Sequence, residues 1–225
     1  MRYAAAMGMI ALALGIAGTI SAQETAPEGY ALVFEDDFSK GMDRWAPTDP
    51  KAWKVVEEEG NPVLAAVRPS SYEPAVRSPQ TIAWVKGLDA GDFVLEVDAK
   101  QTGREYGHRD LCFFFGKQDD THFYYVHLAT AADEHANSIF LVNGAPRVSI
   151  AKERTQGTAW GSGVWHKVRI QRTVADGRIE VYFDNCDKPV MVAEDKTFAS
   201  GTIGLGSFDD IGRFDNVRVW TPQAK

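Results

Sequence analysis

An all-β fold, two antiparallel sheets packed face to face, is what this sequence predicts, and three observations predict it. Short runs of alternating apolar and polar residues recur, no helical periodicity outlasts a turn or two, and Gly, Asn and Asp break the runs at short intervals. Phe93-Val94-Leu95-Glu96-Val97-Asp98 alternates, as do Val168 to Gln171 and Ile179 to Asp184, and Val217-Arg218-Val219 closes the set. A period of two with one polar face marks a half-buried strand. Leu111 to Phe115, Phe123 to Leu128 and Ile139 to Val142 are instead apolar on both faces. They are expected as central strands, with core on one side and an aromatic layer on the other. Asn143-Gly144 and Asp176-Gly177 read as tight hairpin turns, and Lys117 to Asp120 and Asp184 to Pro189 as short connections.

The chain of 225 residues opens with Met1-Arg2-Tyr3, an apolar stretch to Gly18 and a small-residue exit, Thr19 to Ala22. That pattern is a secretory signal over residues 1–22, which implies a secreted or periplasmic protein. The apolar stretch is too short and too broken by glycine to span a membrane. Residues 23–30 form a leader, 31–221 one sandwich domain and 222–225 a tail; about 200 residues suffice for one sizeable β core. The net charge is −7, and the signal carries Arg2 but no acid. So acidic a surface argues against nucleic acid and anionic membrane as partners. Cys112 and Cys186 lie far apart and outside any metal-type spacing. In an oxidising compartment they can pair or stand as two separate thiols.

The end segments carry a resemblance. Phe34-Glu35-Asp36-Asp37-Phe38-Ser39 with Trp45, and Gly201 to Gly206 through Phe214-Asp215-Asn216-Val217-Arg218-Val219, resemble the concanavalin A-like and laminin G-like jelly-roll sandwiches. In overall layout residues 30–220 resemble the 3-keto-disaccharide hydrolase family. The resemblance implies that the first and last strands lie side by side, and that a structural calcium can sit near Asp36, Asp37 and Asp215. Edge charges that discourage sheet-to-sheet association account for the same residues. Because this fold hosts glycosidases, lyases, lectins and adhesive modules, the resemblance decides fold and not chemistry.

Four segments carry candidate chemistry. Glu96 and Asp98 share a strand face, but Lys100 and Gln101 stand where a laminarinase-type second glutamate belongs, and Gln cannot deliver a proton; the pair reads as a solvated face. The connection Arg104-Glu105-Tyr106-Gly107-His108-Arg109-Asp110 is dense in groups able to bind sugar hydroxyls or a carboxylate, and equally in groups able to pair with each other. In His122 to Leu128, parity puts Phe123, Tyr125 and His127 opposite the core-facing Tyr124, Val126 and Leu128. That face suits a sugar platform, with His127 or Tyr125 as catalytic base, or tight packing with hydrogen-bonded tips. His135 and Asn137 precede the next strand and can reach the same cleft. Nothing in the spacing of His108, His127 and His135 demands a transition metal. The expected function is saccharide-directed: hydrolysis or elimination of 3-keto glycosides, which the absence of a carboxylate pair suits. The alternatives are a non-catalytic carbohydrate-binding module and an envelope protein-interaction domain.

Overall fold

The computed structural model describes residues 26–185 and 187–223; the expected signal, part of the leader, Cys186 and the last two residues lie outside the described residues. Among the described residues sixteen strands are formed: β1 Tyr30–Asp36, β2 Trp45–Pro47, β3 Trp53–Glu58, β4 Asn61–Ala66, β5 Thr81–Val85, β6 Phe93–Gln101, β7 Asp110–Asp119, β8 His122–Ala129, β9 Ser138–Asn143, β10 Val148–Ser149, β11 Ala151–Arg154, β12 Trp165–Thr173, β13 Arg178–Phe183, β14 Met191–Glu194, β15 Thr202–Ser207 and β16 Gly212–Pro222. Helix among the described residues is confined to a 3-10 turn, Pro50–Ala52, and no helix is long and apolar enough to cross a membrane.

The strands make two antiparallel sheets. The larger runs β11-β14-β13-β12-β6-β16-β4-β3, with β1 also paired to β16; the smaller runs β10-β9-β8-β7-β15-β5-β2. β16 is long enough for two partners on one side, β4 along its first residues and β1 along its last. Between the two halves Asn216 takes a left-handed φ of 50° and the register with β6 shifts. The first and last strands therefore do lie side by side, with Asp36 opposite Val217.

Asp36 accepts from Phe38 N at 3.0 Å and Trp45 Nε1 at 3.0 Å. Asp37 accepts from Ser39, and Asp215 from Asn61 and Asn216. The three carboxylates are thus each engaged locally. They do not form a group whose ligand atoms lie within 4.8 Å of one another.

The main core fills the space between the sheets, with Trp45, Trp53, Phe93, Phe113, Phe115, Tyr124 and Phe214 among its largest members. The outer face of the larger sheet is a lattice of opposite charges. Lys167 pairs with Asp98, Arg169 with Glu96, and Arg213 and Lys100 with Glu58. The Glu96–Asp98 face is thus salt-bridged and, unlike the solvated face its sequence suggested, partly withdrawn from water: Glu96 and Lys100 are buried.

The outer face of the smaller sheet is apolar. Trp84, Phe114, Phe123, Tyr125 and Phe140 form a second buried cluster with Ile82, Cys112 and Val142. This is the aromatic layer expected behind the doubly apolar strands, and each buried ring contributes about 1.5–3 kcal/mol. Residues 67–80 cover part of it: Val76 packs on the cluster, Ser70 N donates to Thr81 Oγ1 at 3.1 Å, and Arg147 N donates to Arg77 O at 3.1 Å. Strand β15 contributes glycines to this face so that its neighbours can close over it. A Cβ on Gly206 would stand 1.8 Å from Thr81 O, and one on Gly204 would stand 2.8 Å from the Trp84 ring.

Gly206→Ala should therefore destabilise the protein by about 1–3 kcal/mol or more, because backbone cannot yield as a flexible side chain can. A thermal melt that matches the parent would contradict the close approach.

Candidate functional site

The pleat of two adjacent strands builds the site. Asp110, Cys112 and Phe114 alternate onto the outer face of β7, and Phe123, Tyr125 and His127 onto the outer face of β8; the register sets Cys112 opposite His127 and Phe114 opposite Tyr125. The arrangement brings an acid, a thiol and an imidazole together at one end of the aromatic layer, all three buried. Above them is a pocket of about 170 Å³ lined by Arg77, Tyr106, His108, Asp110, His127, His135, Arg147, Phe208 and Asp209. A larger cleft of about 470 Å³ lies beside Glu35–Arg44. There Asp36 and Asp37 are already satisfied by nearby donors.

Asp110 is the anchor. Its Oδ2 accepts from Cys112 Sγ at 3.0 Å and Phe208 N at 2.9 Å, and lies 3.3 Å from His127 Nε2. Burial pushes its pKa up, but His127, Cys112 and the Phe208 amide outweigh burial and hold it below the usual carboxylate range. Burial and the neighbouring Asp110 push the Cys112 thiol well above its ordinary value. Cys112 is a free, buried thiol and a hydrogen-bond donor here, not a poised nucleophile.

The two acids after β15 behave in the opposite sense. Burial, then the Asp110 charge, pushes Asp210 up to about 6, although Tyr106 Oη donates to it at 2.8 Å and Asp110 N at 3.0 Å. Burial and Asp110 likewise raise Asp209. One depressed and one raised carboxyl in a single pocket is the pattern that separates base from acid. Sequence reading missed Asp110, Asp209 and Asp210 as a group, because residues 110 and 209–210 meet only through the pairing of β7 with β15. Asp110, Cys112 and His127 also offer three metal-donor atoms within 4.8 Å of one another, as do Asp110, Asp209 and Asp210. In the first set the S–H already donates to the carboxylate.

Five buried polar atoms in this neighbourhood have no hydrogen-bond partner: Tyr125 Oη, His127 Nδ1 and Nε2, and Arg147 Nε and Nη1. The 3.3 Å approach of His127 to Asp110 is an ion-pair distance without hydrogen-bond alignment. The imidazole lies flat against Phe208, ring centroids 6.1 Å apart and planes at 18°. Phe208 in turn carries the Arg147 guanidinium 4.3 Å from its centroid.

The structure brings some of the expected residues to this pocket and sends others elsewhere. Tyr106, His108, His127 and His135 line it, and Tyr125 lies beneath, its ring 6.1 Å from that of His127. His108 is held by Asp133 at 2.5 Å. Arg104 is exposed outside the pocket lining, with its guanidinium 4.8 Å from the Tyr106 ring. Arg109, one residue out of phase with Asp110, turns away and donates to Gly161 O at 2.8 Å. Asn137 is fully buried with a left-handed φ of 51° and ties loops together through Ala129 N, Thr158 Oγ1 and Thr155 O. Phe123 sits deep against Trp84, 5.6 Å between ring centroids. It and Tyr125 are at most 1% exposed. The open platform expected on β8 is therefore a buried layer, covered in part by residues 67–80 and with Arg147 over Phe140, and its His127 end meets the pocket.

No family model matches the chain, and no curated protein does; the resemblance to 3-keto-disaccharide hydrolases therefore stays at the level of layout. Solved structures do match. The chain is similar to a carbohydrate-binding module, CBM66, from Bacillus subtilis, with 17% identity, a TM-score of 0.54, and coverage of 78% of this chain and 94% of that one. It is similar to domain 4 of AbnA, a GH43 extracellular arabinanase from Geobacillus stearothermophilus solved with arabinotriose, with 12% identity, a TM-score of 0.56, and 88% and 96% covered. It is also similar to SCLam, a non-specific endo-beta-1,3(4)-glucanase of family GH16, with 15% identity, a TM-score of 0.55, and 88% and 94% covered. At these identities the likeness is one of fold, and it defines the class: a two-sheet, antiparallel, jelly-roll-like β-sandwich.

The raised pKa of Asp210 has a measurable consequence. A carboxyl that holds its proton more tightly folded than unfolded makes stability fall as pH rises, here from about pH 4, the unfolded value, to about 6. Asp210→Asn keeps an acceptor for Tyr106 and Asp110 N but cannot ionise. Relative to this variant, the parent should lose melting temperature across that window; parallel Tm-against-pH curves would show that Asp210 is not perturbed.

Proposed function

We propose that the chain acts on a single sugar unit bound in this pocket, with His127 as general base and Asp110 as the carboxylate that positions the imidazole and stabilises its protonated form. The carrying observation is the gathering around one small pocket of five buried polar atoms without a hydrogen bond, from Tyr125, His127 and Arg147; of these, His127 Nε2 has only the 3.3 Å ion-pair approach of Asp110. Leaving a buried polar atom unbonded costs about 1–3 kcal/mol; a ligand rich in hydroxyls and ring oxygens supplies the missing partners. The volume, about 170 Å³, suits one ring rather than a length of polymer. Similarity to a carbohydrate-binding module, to an arabinotriose-bound domain and to a glucanase supports a saccharide as that ligand.

The chemistry that fits is proton removal from a carbon acidified by a neighbouring carbonyl, as in a 3-keto glycoside. His127 takes the C2 proton, the C–H electrons form the C1=C2 double bond, and the C1–O bond breaks. The departing oxygen takes its proton from the carboxyl of Asp209, whose hold on a proton burial and the Asp110 charge strengthen. Addition of water across the double bond then completes a net hydrolysis. Asp110 does not serve as nucleophile in this scheme: it is fully buried, Oδ2 accepts from Cys112 and Phe208 N, and Oδ1 faces Ser207 Oγ at 3.4 Å. The second reading is a non-catalytic binding module. It is favoured by the same similarity to CBM66 and to the arabinanase domain, and it uses the pocket without the proton transfer.

His127→Gln should lower turnover of 3-keto disaccharides by about 10²–10⁴-fold, the usual contribution of a general base, with a change in Tm too small to account for it. If the variant instead melts early while its folded fraction turns over normally, His127 is a packing residue. If sugars bind but neither 3-keto nor ordinary disaccharides are converted by the parent, the binding-module reading takes its place.

A further inference from the structure

We infer that the sugar unit this pocket accepts carries a carboxylate, held by Arg147 and Arg77. The inference rests on the saccharide reading above and adds to it the charge of the ligand. Arg147 commits one nitrogen, Nη2, to His135 O at 3.1 Å and lays its face on Phe208 and Phe140, 4.3 and 5.4 Å from their centroids. Its Nε and Nη1 are buried and have no hydrogen-bond partner. A guanidinium held flat on two rings, with donors left over, is already oriented and loses little entropy when it binds.

Arg77 reaches the same pocket from residues 67–80, the segment that roofs the aromatic layer. A backbone hydrogen bond from Arg147 N to Arg77 O, 3.1 Å, locks the two loops together. Arg68, Arg169, Arg178, Arg213 and Arg218 each face a carboxylate on the protein. Arg77 and Arg147 make no ion pair with any described residue. With no carboxylate of the described residues within ion-pair distance, both guanidiniums are free to pair with an anion that enters the pocket.

A carboxylate fits better than a phosphate or sulfate ester. It is planar, like the guanidinium, and it carries one charge. Asp110 and Asp209 line the same pocket and oppose a dianion more strongly. On the same pocket wall, His108, His127 and His135 offer further donors to the rest of the ring.

The test is calorimetric titration of the full protein with methyl glucuronide and methyl galacturonide, beside the matching neutral methyl glucoside and galactoside, methyl glucoside 6-phosphate, and sodium acetate. A uronide should bind at least about tenfold more tightly than its neutral partner. That margin should shrink with added salt, and should vanish in Arg77→Gln and in Arg147→Gln. Arg77 is exposed, so its variant tests the idea even where loss of Arg147 disturbs Phe208. Equal binding of charged and neutral glycosides overturns the inference and leaves the saccharide reading standing. Tighter binding of the phosphate ester overturns the choice of carboxylate. Acetate binding that depends on both arginines, with no glycoside bound, overturns the saccharide reading and keeps the carboxylate site. No binding of any probe overturns both.

Discussion

The two-residue period of β7 and β8 is the constraint on which the rest of this protein depends. Odd positions of β7 (Leu111, Phe113, Phe115) and even positions of β8 (Tyr124, Val126, Leu128) fill the main core; the alternate positions face outward. Because those outward positions are also apolar over most of their length, the face cannot be left to water. Residues 67–80 close over part of it, and β15 gives up side chains at Gly204 and Gly206 so that its neighbours can approach. Only where the outward rows turn polar, at Asp110 and His127, does the face open to a pocket. A one-residue slip of either strand would exchange core for site.

Burying an ionised aspartate at that point is expensive, and the fold meets the cost locally. Asp110 is surrounded by a thiol, a backbone amide and an imidazole, which together keep it charged where no solvent reaches it. Its charge then becomes the reference for the groups around it. It raises Cys112, Asp209 and Asp210, so that the only depressed acid in the cluster is the one nearest the imidazole. Such a cluster is held for chemistry or recognition more readily than for stability, since replacing buried charges by apolar groups is often neutral or stabilising.

Much of the fold was legible from the residues. Period-two runs placed β6, β12, β13 and the end of β16, and the doubly apolar runs placed β7, β8 and β9 as central strands with an aromatic layer outside. The short strands β2, β3, β4 and β5 were not, because Trp-Ala-Pro, Asn-Pro-Val-Leu-Ala-Ala and Thr-Ile-Ala-Trp-Val do not alternate; both their faces are covered, or they sit at an edge. At the site, parity correctly put Tyr125 and His127 on one face, but burial is not written in parity, so the sealing of Phe123 and Tyr125 could not be read. Arg109 and Asn137 looked equivalent to their neighbours Tyr106 and His135; the difference is a half-turn of backbone, one set by strand phase and the other by a left-handed φ. Arg77, Arg147 and Phe208 gave no signal at all, since isolated residues in three separate connections meet only once the sheets have formed.

The roof over the aromatic layer has a consequence for how such a fold diversifies. The row Trp84, Phe114, Phe123, Tyr125 is a ready-made track of rings along a sheet. Part of what hides it is one connection, residues 67–80, between β4 and β5. Trimming that connection would uncover part of the track and lengthen a one-ring cavity into a trough able to hold several rings in line; Arg77 would leave the pocket wall with it, while Asp110, His127 and Asp209 would stay in place. The number of units grasped is then a property of loop length, and the chemistry a property of strand phase, so the two can drift independently in descendants of the same sandwich.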